Sequence, residues 1–247
     1  MARYTEEFYE EIYPSGELRR FSVNWWSVRF YALLVQRSLK KIGIEGRQPR
    51  VFDAGCGLPF ILARLEKGCE TWGMDISEYA IERGRLIAPR SKLFKGDIEE
   101  GIPESISRNY FDLVISKYIF EHLKEPEEAI RRCCDLLAHG GRIIISVPNM
   151  ESPMRYLKKE DWFAVKDKTH VSLLAPAEWL AIVRRSGMKV ERSFSDGFWD
   201  VPYVKFLPCW LQYPIFSLPC AVEVLLAYPI LPPKWGENII IIASKVH

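Results

Sequence analysis

The sequence predicts an α/β domain built on a parallel sheet. Short apolar runs alternate with amphipathic stretches through the middle of the chain, and no internal repeat or low-complexity tract interrupts them. The chain has 247 residues, of which 48% are hydrophobic, so a sizeable core is available. At about 150 residues per domain, this length fits one large domain or one domain with an appendage.

Seven strands account for the apolar runs. Five are apolar enough to be covered on both faces, and we place them at 50–54, 70–74, 91–95, 111–116 and 142–147. Two more strands are predicted near the end of the chain, at 188–195 and 237–244. The first five follow one another closely enough to form a single sheet.

Helices are predicted between these strands, at 59–67, 77–88, 126–138 and 176–186. The third precedes Gly140 and Gly141, a pair that would end a helix and turn into the next strand. The fourth begins with Pro176 in its first turn and closes at Gly187. Before the first strand, the aromatic and aliphatic residues of 17–42 suit one or two helices, packed at the sheet edge or over its mouth.

The chain divides into three parts on this basis. Residues 1–45 form an N-terminal helical lid, 46–195 form the α/β core, and 196–247 form an apolar, proline-rich insertion followed by the final strand. Between 202 and 233 lie seven of the sixteen prolines and no glycine.

Prolines divide the apolar insertion. Its longest uncharged stretch, 206–222, is interrupted by Pro208, Pro214 and Pro219, which argues against a membrane-spanning helix and against one long amphipathic helix. The insertion either packs as a cap over one side of the domain, or exposes an apolar patch. Such a patch would bind a lipid-linked molecule, a membrane surface or a second subunit, so peripheral membrane contact through 202–233 and a homodimer both stay open.

Charge and cysteine content limit the binding partners and the cellular location that we expect. Thirty-four Lys and Arg against thirty-two Asp and Glu leave a net charge of +2, which gives no support to nucleic-acid binding. Four glutamates among the first eleven residues replace the basic and apolar run of a signal peptide, so we expect a cytoplasmic location, with membrane association left open. Six cysteines without a C-x-x-C pair indicate neither disulfides nor a zinc site.

The strongest local motif is VFDAGCGLPF at 51–60, a strand that leads through Asp53, Gly55 and Gly57 into a helix. Glycines lack a Cβ atom, so the backbone can approach a ligand closely at the carboxyl end of the sheet. Asp75, at the end of the second strand, can accept hydrogen bonds from both hydroxyls of a ribose. The arrangement predicts a nucleoside site.

Two further residues narrow the class of ligand that we expect at this site. Pro59 has no amide proton and stands where a pyrophosphate would need free N–H groups, so it argues against NAD or FAD. Asp97 follows the third strand, where its carboxylate can accept a hydrogen bond from an adenine amino group while the next backbone amide meets a ring nitrogen. Carboxylates at the ends of three successive strands would thus address three parts of one nucleoside.

At this point the sequence resembles the class I S-adenosylmethionine-dependent methyltransferases, particularly the small-molecule type with an E-H-L segment after the fourth strand. The resemblance covers about 50–195, and the last strand also fits. It is carried by Asp53, Gly55 and Gly57, by Met74-Asp75-Ile76, by Gly96-Asp97-Ile98, by the 111–114 segment FDLV, by Glu121-His122-Leu123, by Leu136-Leu137 and by Gly140-Gly141. The family usually has glycine where Pro59 stands.

The resemblance implies a Rossmann-like, doubly wound, seven-stranded sheet that is mostly parallel, with an antiparallel last strand. It also implies S-adenosylmethionine as cofactor and S-adenosylhomocysteine as product. Asp53 and the glycines would lie near the methionine part, Asp75 would bind the ribose, and Asp97 with Ile98 would hold the adenine. The full set of expected cofactor-binding residues is Asp53, Gly55, Cys56, Gly57, Asp75, Ile76, Gly96, Asp97, Ile98 and Ser116.

The candidate catalytic residues are His170 and His122. A sulfonium methyl group is already activated, so such an enzyme chiefly aligns the nucleophile and excludes water, and a hydroxyl acceptor also benefits from a general base. His122 follows the fourth strand, while His170 lies in the long connection before the last helix, where an acceptor pocket would be built. Both also have a structural interpretation, as histidines that orient their loops. No metal is expected, because no H-x-H or H-x-x-x-H spacing occurs.

The function expected from these residues is methyl transfer from S-adenosylmethionine to a small-molecule or lipid-linked acceptor, with O-methylation as the first choice. N-methylation is the alternative, since an amine needs no base. A protein that binds the nucleoside without turnover and a nicotinamide-dependent oxidoreductase are the competing classes.

Overall fold

The computed structural model describes residues 4–226, 228 and 230–246, and a seven-stranded sheet runs through them. The strands are β1 (Arg50–Ala54), β2 (Glu70–Asp75), β3 (Lys92–Lys95), β4 (Phe111–Lys117), β5 (Leu137–Pro148), β6 (Met188–Ser195) and β7 (Asn238–Lys245). Their order is β3-β2-β1-β4-β5-β7-β6, and β7 runs antiparallel to both of its neighbours. The predicted sheet is confirmed, including the antiparallel last strand.

Helices cover both faces of this sheet. They are α1 (Glu6–Ile12), α2 (Val23–Ile42), α3 (Phe60–Leu65), α4 (Glu78–Ile87), α5 (Pro126–Leu136), α6 (Pro153–Lys158), α7 (Phe163–Lys166), α8 (Pro176–Arg185) and α9 (Cys209–Leu226). Apolar side chains of α5 and α8 pack on one face, and those of α2, α3 and α4 pack on the other. The sheet is therefore doubly wound, as predicted.

The strands alternate their side chains between two cores. In β1, Val51 packs with α2 and α3, whereas Phe52 packs on the opposite face with α5 and α8. In β7, Ile240 and Ile241 are likewise fully buried on opposite faces. Burial on both faces explains why these strands read as continuous apolar runs.

Two predictions about secondary structure need correction. The helix predicted for 126–138 ends at Leu136, and β5 already begins at Leu137. Gly140 and Gly141 lie inside this strand, in an irregular stretch where the pairing register with β4 shifts. The positive φ of Gly140, +71°, suits such a bulge, so this glycine bends a strand instead of ending a helix.

The second correction concerns the insertion. Cys209–Leu226 forms one 18-residue helix although it contains Pro214 and Pro219, so the prolines do not divide it into short pieces. Each proline removes one backbone hydrogen bond, and packing of the helix against the domain, described below, offsets that loss. Among the described residues α9 is the one helix that is long and apolar enough to cross a membrane, judged by length and composition alone. Residues 227 and 229 of the insertion, and 247 of the C-terminal part, lie outside the described residues.

Candidate active site

A cavity of about 1090 Å³ opens at the carboxyl ends of β1, β2 and β4. Parallel sheets place their ligand sites at this edge, beside the point where the strand order reverses. The wall includes every site residue that the sequence predicted except Ser116. Three further segments complete it, namely 4–13 with α1, the 163–170 connection, and the residues on either side of the insertion.

The glycine loop after β1 forms the floor of the cavity. Gly55 has φ of +81°, and its N–H donates to the carbonyl of Met74 over 2.8 Å. A Cβ atom added at Gly55 would overlap the side chain of Ile119, so no other residue fits there. Gly57 also has positive φ, and its N–H donates to Asp75 Oδ2 over 2.8 Å. The loop is thereby fastened to the end of β2.

The carboxylate of Asp75 holds the loop in this position through its hydrogen bonds. Oδ1 accepts a 2.9 Å hydrogen bond from the backbone of Ser77 and a 3.4 Å hydrogen bond from the hydroxyl of Tyr9. Burial raises the pKa of Asp75, and the three hydrogen bonds oppose that rise. Each carboxylate oxygen has two lone pairs, so these three hydrogen bonds leave one lone pair on Oδ2, which can accept a further hydrogen bond from a ribose hydroxyl.

The third strand contributes the far end of the cavity. Gly96, Asp97 and Ile98 all line it, as does the half-exposed Ile76. Asp97 Oδ1 accepts a 2.8 Å hydrogen bond from the N–H of Glu99, which fixes the direction of the carboxylate. The loop after β3 thus presents a hydrogen-bond acceptor of fixed orientation beside an apolar wall. This combination suits the amino group and the flat ring of an adenine.

Charged groups meet deep in the cavity. Burial, reinforced by Asp75, raises the pKa of Asp53 to about 7, while Lys117 opposes the rise. Burial lowers the pKa of Lys117 to about 8, against the attraction of Asp196, Asp53 and Glu121. The ammonium of Lys117 also lies 4.0 Å from the ring centre of Tyr118. Both groups change protonation near neutral pH.

Two of the expected cofactor-binding residues make other contacts. Ser116 is buried away from the cavity, and its hydroxyl donates to the carbonyl of Ala54 over 3.1 Å, so it joins β4 to β1. The structure gives Ser116 a place in strand pairing instead of one on the wall. Cys56 lines the cavity, but its thiol packs under the loop in the apolar core, and burial raises the pKa of that thiol well above its usual value.

The two candidate histidines lie side by side although 48 positions separate them, with ring centres 4.5 Å apart. Thr169 donates its hydroxyl proton to Asp167 over 2.7 Å, so the same oxygen accepts the 2.8 Å hydrogen bond from His122 Nδ1. Nδ1 of His170 donates to the carbonyl of Ala164 over 2.7 Å. Each neutral ring therefore carries its lone pair on Nε2.

Asp167 supports this pair electrostatically. Its carboxylate lies 3.7 Å from Nε2 of His170, close enough to stabilise a protonated ring. Burial of Asp167 opposes ionisation, but the hydrogen bonds from Thr169 and the nearby histidines lower its pKa, so it remains a carboxylate. The loop itself is held in place because the N–H groups of Val171 and Ser172 both donate to the carbonyl of Glu121.

Glu121 completes the cluster. Its side chain is fully buried, and neither carboxylate oxygen has a hydrogen-bond partner among the described residues. Burial raises the pKa of Glu121 to about 8, although Lys117 opposes this rise. Ligand atoms of Glu121, His122 and His170 lie within 4.8 Å of one another, an arrangement that could hold a metal ion. The sequence argument against a metal rested on spacing within one segment and does not apply to ligands from two loops.

The N-terminal segment closes the cavity from above. The ring of Tyr9 on α1 is buried over Gly57 and stacks on Tyr79, with ring centres 5.9 Å apart. The ring of Tyr4 meets that of His122 edge-on at 6.0 Å. Residues of α1 and of the first turns of α2 thus line the cavity. That 1–45 acts as a lid stays a prediction, and residues 1–3 of it lie outside the described residues.

The opposite wall belongs to the residues that flank the insertion, including Trp199, Asp200 and Glu237. Lys158 lies 2.6 Å from a carboxylate oxygen of Asp200, so this lysine is already neutralised and does not offer a site for an anionic acceptor. Burial raises the pKa of Glu237 to about 8, against hydrogen bonds from Tyr203 and Trp199. This wall is mainly aromatic and acidic.

Several residues on the wall are missed by the sequence reasoning. Lys117 and Asp167 carry no motif, and only the folding of the 163–170 connection brings Asp167 and the nearby Thr169 to His122. Tyr9 had a detectable signal, because aromatic residues recur at positions 4, 8, 9 and 13 beside the glutamates. That spacing places rings on one face of a short helix.

Comparison with known proteins agrees with this geometry. A family model described as a methyltransferase domain matches residues 25–193, more than half of the chain. The ubiquinone biosynthesis O-methyltransferase of Neisseria meningitidis serogroup C is 28% identical over 199 residues, 71% of this chain and 82% of that protein. The protein of the same name from Alkalilimnicola ehrlichii is 29% identical over 151 residues. That match covers 58% of each chain, so this chain spans less than two-thirds of the Alkalilimnicola protein.

A similar fold occurs in solved structures. An S-adenosylmethionine-dependent methyltransferase from Archaeoglobus fulgidus superposes with a TM-score of 0.55 at 23% identity. The superposition covers 87% of this chain and 94% of that one. This similarity supports the fold of the described residues.

Proposed function

Because the chain belongs to the class I S-adenosylmethionine-dependent methyltransferases, we propose that it methylates a hydroxyl oxygen of a small-molecule or lipid-linked acceptor. The proposal is carried by one observation: His170 lies on the cavity wall, donates through Nδ1 to the carbonyl of Ala164 and has the Asp167 carboxylate 3.7 Å from its Nε2, an arrangement that suits a general base. Relatives named as O-methyltransferases support the same choice.

The residues present fit the family's cofactor. Gly55 and Gly57 expose their backbone on the cavity wall, Asp75 offers a carboxylate oxygen for a ribose hydroxyl, and Asp97 offers one for an adenine amino group. Pro59 directly precedes α3, a position that suits a ligand without a pyrophosphate. When bound, S-adenosylmethionine supplies an activated methyl group.

The chain's own residues would then bind the acceptor and remove its proton. Aromatic side chains of Trp199 and Phe163 pack around the acceptor and exclude water. The hydroxyl proton passes to Nε2 of His170, and the Asp167 carboxylate 3.7 Å away stabilises the resulting imidazolium. His122, oriented by Thr169, positions the acceptor oxygen or takes the proton in its place.

The acidic wall supports a second candidate, N-methylation. Asp200 and Glu237 face the cavity, and their oxygens could accept hydrogen bonds from the N–H groups of an amine. A bound amine must lose its proton before it reacts, and the same histidines could accept it. The identity of the methylated atom therefore separates the two candidates.

The first experiment is calorimetric titration with S-adenosylmethionine and S-adenosylhomocysteine. Wild type is expected to bind with micromolar affinity, and Asp75→Asn to bind about 10- to 100-fold more weakly, because one charged hydrogen-bond acceptor is lost. Glu82→Gln, on the exposed face of α4, is the matched control and should leave affinity unchanged. Absence of binding to wild type would overturn the site assignment.

The second experiment offers phenols, aliphatic alcohols, primary amines and secondary amines to the wild-type protein, with mass spectrometry of the products. Methyl ethers are the expected products. Exclusive formation of methylamines would replace O-methylation by the second candidate. Binding of the cofactor without turnover of any acceptor class would favour a binding protein.

A further inference from the structure

Exposed apolar side chains are concentrated in one segment of the surface. Among the described residues, twenty large hydrophobic side chains are exposed, and twelve of them lie between 206 and 235. They are Phe206, Leu207, Trp210, Leu211, Tyr213, Ile215, Leu218, Leu225, Leu226, Tyr228, Ile230 and Trp235. We call residues 206–235 the docking segment. A contiguous patch of this kind marks an interaction surface.

The outward face of α9 is an apolar stripe. Leu211, Ile215, Leu218 and Leu225 recur at helical spacing and point away from the domain, with exposures of 38%, 64%, 63% and 78%. A surface helix in water normally turns its polar residues outward. The arrangement in α9 is the reverse of that pattern.

The polar residues of α9 face the domain instead. Gln212 is fully buried, and its amide makes four hydrogen bonds to the backbone of 203–207. Glu223 is also fully buried, and its Oε1 accepts a 3.0 Å hydrogen bond from the N–H of Ile230. Cys220 packs beside Phe198 on the same side. These contacts fix the rotation of the helix, so the apolar stripe cannot turn inward.

Charge distribution indicates what covers this stripe. Between 201 and 235 the charged residues are Lys205, Glu223 and Lys234, and the carboxylate among them is the buried one. The exposed charges are therefore Lys234 within the docking segment and Lys205 directly before it, and both are positive. Lys205 pairs with Asp161 and Lys234 with Glu151, but such pairs at the surface contribute little, so either ammonium can exchange its partner for a phosphate.

Basic and aromatic residues lie together at the end of α9. Arg37 donates to the carbonyl of Leu226, and both Arg37 and Arg192 lie over the ring of Tyr228, at 5.8 and 4.3 Å. Trp210 and Trp235 are exposed by 70% and 57%. Trp, Tyr and basic side chains are the groups that settle at the boundary between lipid headgroups and acyl chains.

We propose that the docking segment binds the surface of an anionic phospholipid bilayer, with α9 lying in the membrane plane. At 1.5 Å per residue the 18-residue helix is about 27 Å long, short of the roughly 30 Å core of a bilayer. A spanning orientation would also pull Gln212 and Glu223 away from their buried partners. In-plane binding keeps those contacts and buries only the stripe that is already exposed.

The position of the segment relates it to the cavity. Trp199 and Asp200 precede it, Glu237 follows it, and all three line the cavity wall. If methyl transfer occurs as proposed above, an acceptor dissolved in the membrane would meet the cavity at the edge of the docking segment. The docking proposal itself rests on the surface alone and is tested without turnover.

The test is flotation of the full-length protein with lipid vesicles. Vesicles of pure phosphatidylcholine are compared with vesicles that contain about one-third phosphatidylglycerol, which are expected to bind more strongly and to lose part of that binding in high salt. Leu218→Glu combined with Leu225→Glu should lower binding more than tenfold, because both carboxylates would enter the acyl region. Leu86→Glu, on α4 and 74% exposed, is the matched control and should bind like wild type.

Calorimetric binding of S-adenosylmethionine by each variant shows that the fold is intact and separates failure of docking from failure of the proposed function. Wild-type protein that binds the cofactor but does not float with anionic vesicles would overturn the proposal. A dimer in light scattering that the double variant converts to a monomer would assign the stripe to a second copy of the chain. Resistance of bound protein to alkaline carbonate would replace surface docking by insertion across the bilayer.

Discussion

At the scale of single residues, proton transfer depends on how the two histidines are held. Both rings use Nδ1 for a hydrogen bond within the protein, one to Thr169 and one to the carbonyl of Ala164. This fixes the tautomer before any acceptor arrives, so no reorientation is needed when the proton moves. The carboxylate of Asp167 then balances the positive charge.

His170→Asn is expected to lower kcat for a hydroxyl acceptor by roughly 100-fold to 10,000-fold, the usual contribution of a general base. Cofactor affinity should stay within about twofold, because the ring does not support the glycine loop. The measurement is steady-state kinetics beside calorimetric titration. His139→Asn, on the exposed part of β5, serves as the control. An unchanged kcat in the His170 variant would show that this histidine is structural and does not act as the base.

The sequence predicted correctly that three aspartates line one cavity, because they lie at strand ends; their role in cofactor binding stays a prediction. Asp53 and Asp75 lie at the ends of β1 and β2, Asp97 follows β3, and the carboxyl ends of such parallel strands meet at one edge by geometry alone. Ser116 follows the same logic, yet its hydroxyl turns back to the carbonyl of Ala54. Which side of a strand a residue faces at its last position depends on local twist, and the sequence pattern does not specify that.

The acceptor side was less predictable. The proximity of His122 to His170 results from a connection of about 28 residues between β5 and α8, in which two short helices set the path. No periodicity in the sequence encodes the distance between two loops. The sequence could identify both histidines as candidates but not their contact, their orienting partners or the buried carboxylate of Glu121.

At the scale of elements, α1 acts as a cover for the cofactor end. Its seven residues are too few to form a stable helix alone, so it depends on the stacking of Tyr9 on Tyr79 and on the packing of Phe8 in the cluster that includes Leu58 and Ala80. Proximity to Asp75 raises the pKa of the buried Tyr9 hydroxyl further, beyond the effect of burial, so this group stays protonated and donates. Such a cover can open without disturbing the sheet.

Tyr9→Ala is expected to raise the dissociation rate of S-adenosylmethionine about tenfold, because loss of the ring frees α1 from Gly57 and Tyr79. Stopped-flow release of the cofactor provides the measurement. Tyr9→Phe keeps the ring and should stay close to wild type, and Tyr156→Ala, exposed on α6, should not differ from it. Equal release from all three variants would show that α1 does not cover the bound cofactor.

Contacts of α9 with its surroundings explain why the prediction that prolines divide the insertion was wrong. The sequence reasoning treated the three prolines of 206–222 as breaks, which holds for an isolated helix in water. In the folded chain α9 is held along its length by Gln212 and Glu223, two polar side chains 11 positions apart. Anchors at both ends outweigh the lost backbone bonds. This information lies in tertiary contacts, so composition alone could not supply it.

At the scale of the whole molecule, buried acids determine how stability depends on pH. Burial raises the pKa of Asp196 to about 6, of Asp53 to about 7, and of Glu121, Glu223 and Glu237 to about 8. Between their ordinary values and these raised values the folded state binds more protons than the unfolded state. The free energy of unfolding therefore decreases as pH rises through this range. Lys117, with its pKa lowered to about 8, contributes in the opposite sense, above pH 8.

Urea unfolding should thus show greater stability at about pH 5.5 than at pH 8. Glu223→Gln, outside the cavity, should reduce this difference by at least about 1 kcal/mol, because one of the shifted groups is removed. Glu127→Gln is the control: its pKa is lowered by Arg185, so its contribution is lost only in more acidic solution. A stability that rises between the two pH values in the wild type would contradict the burial of these acids.

The position of β7 has a consequence for how the chain folds during synthesis. β7 lies between β5 and β6, and Ile144 pairs with Ile242 across 98 positions of sequence. When the ribosome has synthesised the chain up to the end of β6, the apolar strand β5 and the strand β6 therefore both lack the neighbour that they share in the folded sheet. The nascent chain must keep those edges from self-association, and closure of the sheet waits for β7. α9, which emerges between them, can meet a membrane while the sheet is still open.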